Sequence, residues 1–133
     1  MRLFILSGLF LSVLFLNYCT DETMDCICTE EFRMYLVTVV DSLKNPVDSL
    51  QTTVTNNRGK EYNFSDYSPP PFMQGAYFVM TDGYQSDFTI KPGKILFTGN
   101  KNGKEVTGEF YFNTDECRCH VYKISGPDTL ILK

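Results

Sequence analysis

Hydrophobic and polar positions in this chain alternate with a period of two, and Gly, Pro, Asn or Asp interrupts the alternation about every 8 to 12 residues. The clearest run is KEVTGEFYFN at residues 104 to 113, where Val106, Phe110 and Phe112 alternate with Glu105, Glu109 and Tyr111. Successive strand side chains point to opposite faces, so this run predicts a strand with one buried face. The same reading predicts strands over 33–41, 49–56, 60–66, 75–82, 94–99, 117–124 and 128–133. They are separated by a turn at Asn45-Pro46 and by NNRG, SPPPFMQ, KPG and NKNG. No segment carries a 3.6-residue apolar stripe. The pattern predicts an all-β fold, a single antiparallel β-sandwich without repeats or a second domain.

The first residues break the pattern. Arg2 is followed by an uncharged, mostly apolar run from Leu3 to Leu16 and then by Asn17, Tyr18 and Cys19. The run is long enough for the core of a signal peptide and short for a membrane span. Its end, LNYC, resembles a bacterial lipoprotein lipobox, in which the cysteine is lipidated and becomes the first residue of the mature chain. That resemblance implies a cleaved signal peptide at 1–18, lipidation of Cys19 with a short acidic tether at 19–25, and a β-sandwich domain at 26–133. Asp21, Glu22 and Asp25 follow the cysteine closely. They resemble the export signal of Bacteroidetes-type lipoproteins, which implies anchoring to the outer membrane, facing the outside. The six residues from Thr20 to Asp25 reach at most about 20 Å when extended, so the domain is expected to sit close to the bilayer.

Removing Arg2 with the signal peptide takes the net charge from −4 to −5. An acidic chain has no electrostatic footprint for nucleic acid, so no nucleic-acid partner is expected. No cofactor is expected either. The chain has no tryptophan, whose indole face is the favoured stacking platform for sugars.

VTVVDSLKNPVDSLQTTVTN, with Asp41 leading to Asn45-Pro46-Val47 and a Thr/Val strand, is followed by GAYFVMTD. These segments are similar to the carboxypeptidase-regulatory-like, or transthyretin-like, β-sandwich domains, with Asn45 standing where those domains carry glycine. The similarity covers roughly residues 33 to 100. It implies an Ig-like or transthyretin-like sandwich, mostly an accessory or structural module, and carries over no catalytic residues.

Five cysteines remain to be placed. With Cys19 lipidated, the others form two C-x-C pairs, Cys26/Cys28 and Cys117/Cys119, the second followed by the lone histidine, His120. Covalent haem and thioredoxin-type centres both need C-x-x-C, which is absent here. Zinc held by the four cysteines and His120 is an alternative with enough ligands. In extended strands, however, Cys117 and Cys119 share one face while His120 and Arg118 take the other. Two sulfurs on one face of each strand suit two disulfides, favoured by an extracytoplasmic compartment. Antiparallel neighbours would pair Cys26 with Cys119 and Cys28 with Cys117; parallel neighbours would pair Cys26 with Cys117 and Cys28 with Cys119. Bonds within each pair are the third option.

The loop DYSPPPFMQGAY, 66 to 77, carries Tyr67, Phe72, Met73 and Tyr77, a candidate recognition loop with an apolar tip. The competing structural reading tucks Phe72 onto the sandwich edge. Asp82 and Asp87 are candidate calcium oxygens, although the dense carboxylate spacing of a dedicated loop is missing. No nucleophile-base pair is recognisable. The expected function is therefore a lipid-anchored, non-enzymatic structural or binding module for a protein or glycan partner. The alternative is a small metal-binding or enzymatic lipoprotein.

Overall fold

The 104–113 alternation becomes the longest strand of the fold. In a computed structural model, which describes residues 25–133, it runs from Lys104 to Thr114, and Val106, Gly108, Phe110, Phe112 and Thr114 all face inward. In chain order the strands are β1 (Met34–Val40), β2 (Gln51–Asn56), β3 (Ala76–Thr81), β4 (Gly93–Lys101), β5 (Lys104–Thr114), β6 (Val121–Ser125) and β7 (Thr129–Ile131). A short 3-10 segment, Asp82–Asp87, follows β3.

Two sheets form, one ordered β3-β1-β7 and the other β2-β4-β5-β6. Their inner faces meet around Val37, Val39, Met80, Ile95, Phe97 and Phe110, an all-β sandwich core of the expected kind. The strands pair antiparallel except that β7 lies parallel to β1, with Val39 opposite Leu130. The sheets are thus antiparallel-rich, as expected of the sandwich, with this one parallel pair. A short last strand returning to the free side of β1 runs in the same direction as β1.

Turn chemistry fixes the registers. Asn102 and Gly103 both have positive φ, 53° and 76°, and form the two-residue connection between β4 and β5, with Lys101 opposite Lys104. An Asn-Gly pair is suited to that mirror-image turn because its twist matches the strands it joins. After β1, the Asp41 carboxylate accepts hydrogen bonds from the N–H groups of Leu43 and Asn45, at 2.8 and 2.9 Å. These bonds, led by that from Asn45, hold the carboxyl below its ordinary value of 3.8. The left-handed residue of this turn is Lys44, at φ 69°, and not Asn45.

One expected strand is absent and another begins four residues late. Residues 60–66 make one isolated bridge, Glu61 to Thr55, and otherwise form a loop. Asn63 explains the loss. Its side chain accepts the N–H of Ser65, and its main-chain N–H and C=O are both bonded to the Tyr84 hydroxyl. Such local bonds compete with a ladder. The strand expected at 117–124 begins only at Val121, because Asp115 accepts the N–H groups of both Arg118 and Cys119 and Arg118 turns left-handed at φ 52°.

Candidate functional site

Both cysteine pairs lie outside the strands. Residues 25–33 form an irregular arm, and it lies against the turn at 115–120. Cys26 is bonded to Cys117 and Cys28 to Cys119, with Cα separations of 5.5 and 5.3 Å. The pairing is the one drawn for parallel neighbours, although a turn, not a strand, presents the second pair. Each bridge spans 91 residues of sequence. Closing a loop of that length contributes about 4 to 5 kcal/mol in the chain-entropy treatment, and the second bridge, whose loop overlaps the first almost completely, adds much less. With all four sulfurs in S–S bonds, the thiolates of the zinc alternative are already committed. Among the described residues no group of three or more His, Cys, Asp or Glu is placed to hold a metal ion.

His120 does not point to solvent beside Arg118. It is buried, and its Nδ1 lies 2.7 Å from Oδ2 of the buried Asp82. Its Nε2 lies 2.9 Å from the hydroxyl of Thr29 on the arm. A carboxylate only accepts, so Nδ1 carries the proton, and in the neutral ring Nε2 accepts from Thr29. Asp82 also accepts the main-chain N–H groups of Arg33 and Val121, at 2.8 and 2.7 Å. One carboxylate thereby joins the arm, the end of β3 and the start of β6. These bonds occupy both oxygens of the residue read as a calcium ligand, and Asp87 pairs with Lys60 at 2.5 Å.

Sequence reading missed this relay because its members stand at positions 29, 82 and 120, and only the fold brings them together. Hydroxyl, imidazole and carboxylate stand in the order that activates a nucleophile in acyl transfer. Such chemistry also needs donors aimed at a developing oxyanion. On the adjoining turn, the N–H groups of Arg118 and Cys119 are already bonded to Asp115.

The Pro-rich loop lies at the other candidate site, where the outer strands of the two sheets, β2 and β3, flank a groove of about 550 Å³. Its four singled-out residues separate into two roles. Phe72 is 84 % exposed and Met73 40 %, so the tip is open to solvent and Phe72 does not tuck onto the sandwich edge. Tyr77 faces inward. Its hydroxyl donates to the Val47 carbonyl at 2.6 Å and accepts the Leu50 N–H at 3.2 Å, and burial raises its pKa. Tyr67 lies against Phe78 and stacks on Phe32 of the arm, with ring centroids 5.6 and 6.1 Å apart. Tyr62, which sequence reading placed in a strand, is 3 % exposed and lines the groove, and burial raises its pKa. Gly75 closes the loop at φ 68°, with its N–H on the Asp48 carboxylate at 2.9 Å and its carbonyl on the Val39 N–H at 2.8 Å. A Cβ there would lie 2.8 Å from the Val39 oxygen, so only glycine fits.

The lipidation candidate Cys19 and the signal peptide at 1–18 lie outside the described residues, as does the tether up to Met24. Among the described residues no helix is long and apolar enough to cross a membrane. Comparison with protein-family models, with curated proteins and with solved structures gives no match for this chain.

Proposed function

We propose that this chain is a bacterial lipoprotein, anchored to the outer membrane by lipid on Cys19 and facing outward. Its transthyretin-like sandwich serves as a non-enzymatic binding module for a protein or glycan partner. The observation that carries the binding role is the aromatic groove between the β2 and β3 edges, with Phe72 exposed on the loop between Pro71 and Met73, which line it. A large aromatic side chain held in water by a proline-stiffened loop is better explained by a partner than by folding. The anchor rests on the order Arg2, apolar run, Cys19, and on the acidic residues that follow. The double clasp suits an extracytoplasmic life.

Three measurements test the reading. Cys19→Ser should move the protein from the membrane fraction to the soluble fraction; retention in the membrane would reject lipid anchoring. A protease site engineered between Thr20 and Asp25 should be cut on intact cells, and protection until the outer membrane is opened would reject outward display. A photo-crosslinking residue at position 72 should join the protein to its partner in intact cells, whereas one at Glu105, on the exposed side of β5, should not.

A second reading, an acyl-transferring enzyme, rests on the Thr29–His120–Asp82 relay. Covalent labelling of Thr29 by a fluorophosphonate, lost in His120→Gln, would favour it over the binding module.

A further inference from the structure

β2 is an outer strand, and its outward edge is only half used. Tyr62 N–H donates to the Val54 carbonyl at 2.8 Å, and Asn56 N–H donates to the Lys60 carbonyl at 3.0 Å. Residues 54 and 56 therefore turn their main-chain groups away from β4. Alternation along an antiparallel strand gives Thr52 the same outward direction. Among the described residues no segment bonds the Thr52 N–H or C=O on that side, and both Thr52 and Val54 line the groove. A free strand edge beside a groove is the site at which an extended peptide adds as a further strand.

The chemistry of the walls narrows the occupant. The charged residues lining the groove are Asp48 and Glu61, both acidic, and no Lys, Arg or His is among them. Of the neighbouring lysines, Lys60 pairs with Asp87 and Lys101 donates to the Asp48 main-chain carbonyl, each at 2.5 Å, and among the described residues no cation pairs with the Asp48 or Glu61 carboxylate. Partly exposed rings at Phe64 and Tyr67 add faces that attract cations, whereas the buried Tyr62 ring already has Lys60 Nζ 5.6 Å from its centre. A neutral glycan would use neither the acidic charge nor the alternating main-chain donor and acceptor.

We infer that the groove takes a short, extended, basic peptide segment of a partner protein. The segment bonds through its main chain to the β2 edge at Thr52 and presents a lysine or arginine to Asp48, Glu61 and the aromatic wall. The inference rests on the reading of the groove as a binding surface and names its occupant.

Fluorescence anisotropy on the purified full-length protein in detergent, with both disulfides intact, tests it. The probe is fluorescein-labelled Lys-Val-Lys-Val-Lys-Val-Lys, compared with the Glu-for-Lys peptide and with a Lys peptide N-methylated at alternate amides. The Lys peptide should bind saturably at physiological salt, the Glu peptide should not bind, and the N-methylated peptide should bind at least about tenfold more weakly. Glu61→Lys, at an exposed side chain, and Thr52→Pro, which deletes an outward N–H on an outer strand, should each weaken binding by about tenfold. Equal binding of the Lys and N-methylated peptides, or unchanged affinity in both variants, would overturn the inference. So would saturable binding of a neutral oligosaccharide with none of the Lys peptide. If position 72 still crosslinks to a partner in cells while the Lys peptide fails, the basic occupant is refuted and the binding role of the groove is not.

Discussion

His120 and Asp82, 38 residues apart in sequence, meet at 2.7 Å in the interior, and the carboxylate simultaneously accepts the main-chain N–H groups of Arg33 and Val121. Replacing Asp82 with alanine leaves two main-chain N–H groups and the Nδ1–H of His120 without that partner. We expect Asp82→Ala to lower the unfolding free energy by about 3 to 5 kcal/mol, since each orphaned buried donor costs about 1 to 3 kcal/mol. Asp82→Asn, which keeps one acceptor oxygen, should lose less. Urea denaturation of both variants with the disulfides intact checks the order, and an alanine variant as stable as the parent would show that Asp82 is not the junction.

Loss of the clasp should act mainly through the unfolded chain. The double variant Cys26→Ser/Cys117→Ser retains Cys28–Cys119, which closes a loop of the same length, so it should lose only a small part of the stabilisation. Removing all four cysteines should cost about 4 to 5 kcal/mol. Thermal unfolding of the two variants beside the parent separates the steps. Equal losses at the two successive steps would mean that each bridge acts independently of the loop the other has already closed.

Lys44 occupies a left-handed conformation that disfavours side chains other than glycine. Lys44→Gly should therefore raise stability by up to about 1 kcal/mol, offset in part by the greater freedom of glycine in the unfolded chain. A lower denaturation midpoint for the glycine variant would show that the lysine side chain contributes more than its backbone strain costs.

Acid should weaken the fold through two depressed carboxyls. Asp41 is lowered by its bonds from Asn45 and Leu43, and Asp128 by the Lys123 ammonium. A folded-state pKa below the unfolded value stabilises the fold above the unfolded value, near 3.8, and that contribution is lost as pH falls through the folded value. Tyr62 and Tyr77 are raised above 10.0 chiefly by burial, so their contribution is present below pH 10 and lost as pH rises through the folded values. Unfolding free energy measured against pH should fall at both ends, and Asp41→Asn/Asp128→Asn should flatten the acid side alone. An unchanged acid limb in that variant would assign acid unfolding to other groups.

The strands that sequence pattern places well are those whose order is local. β5 alternates strictly, and the Asn102-Gly103 turn joins it to β4 without help from the rest of the chain. The losses occur where side chains compete with the ladder, as Asn63 and Asp115 do by capturing nearby main-chain N–H groups. The four cysteines were legible as a paired set because two C-x-C spacings match. Their connectivity was not, because it depends on how the arm meets a turn. His120, Asp82 and Thr29 carry no spacing signal, and a buried Tyr62 in a loop is indistinguishable by period from one in a strand. The open edge at Thr52 is a property of strand order, which alternation does not encode.

The two disulfides enclose most of the sandwich in a covalent ring, from Cys26 round to Cys117, with the Pro-rich loop on its circumference. A single cut by an external protease in that exposed loop would open the ring without dividing the molecule. The piece bearing β1 and β2 would stay bonded through the sulfurs to the piece bearing β6 and β7. Whatever holds the N-terminus would then still hold the C-terminal half, so nicking could silence the loop without shedding the protein.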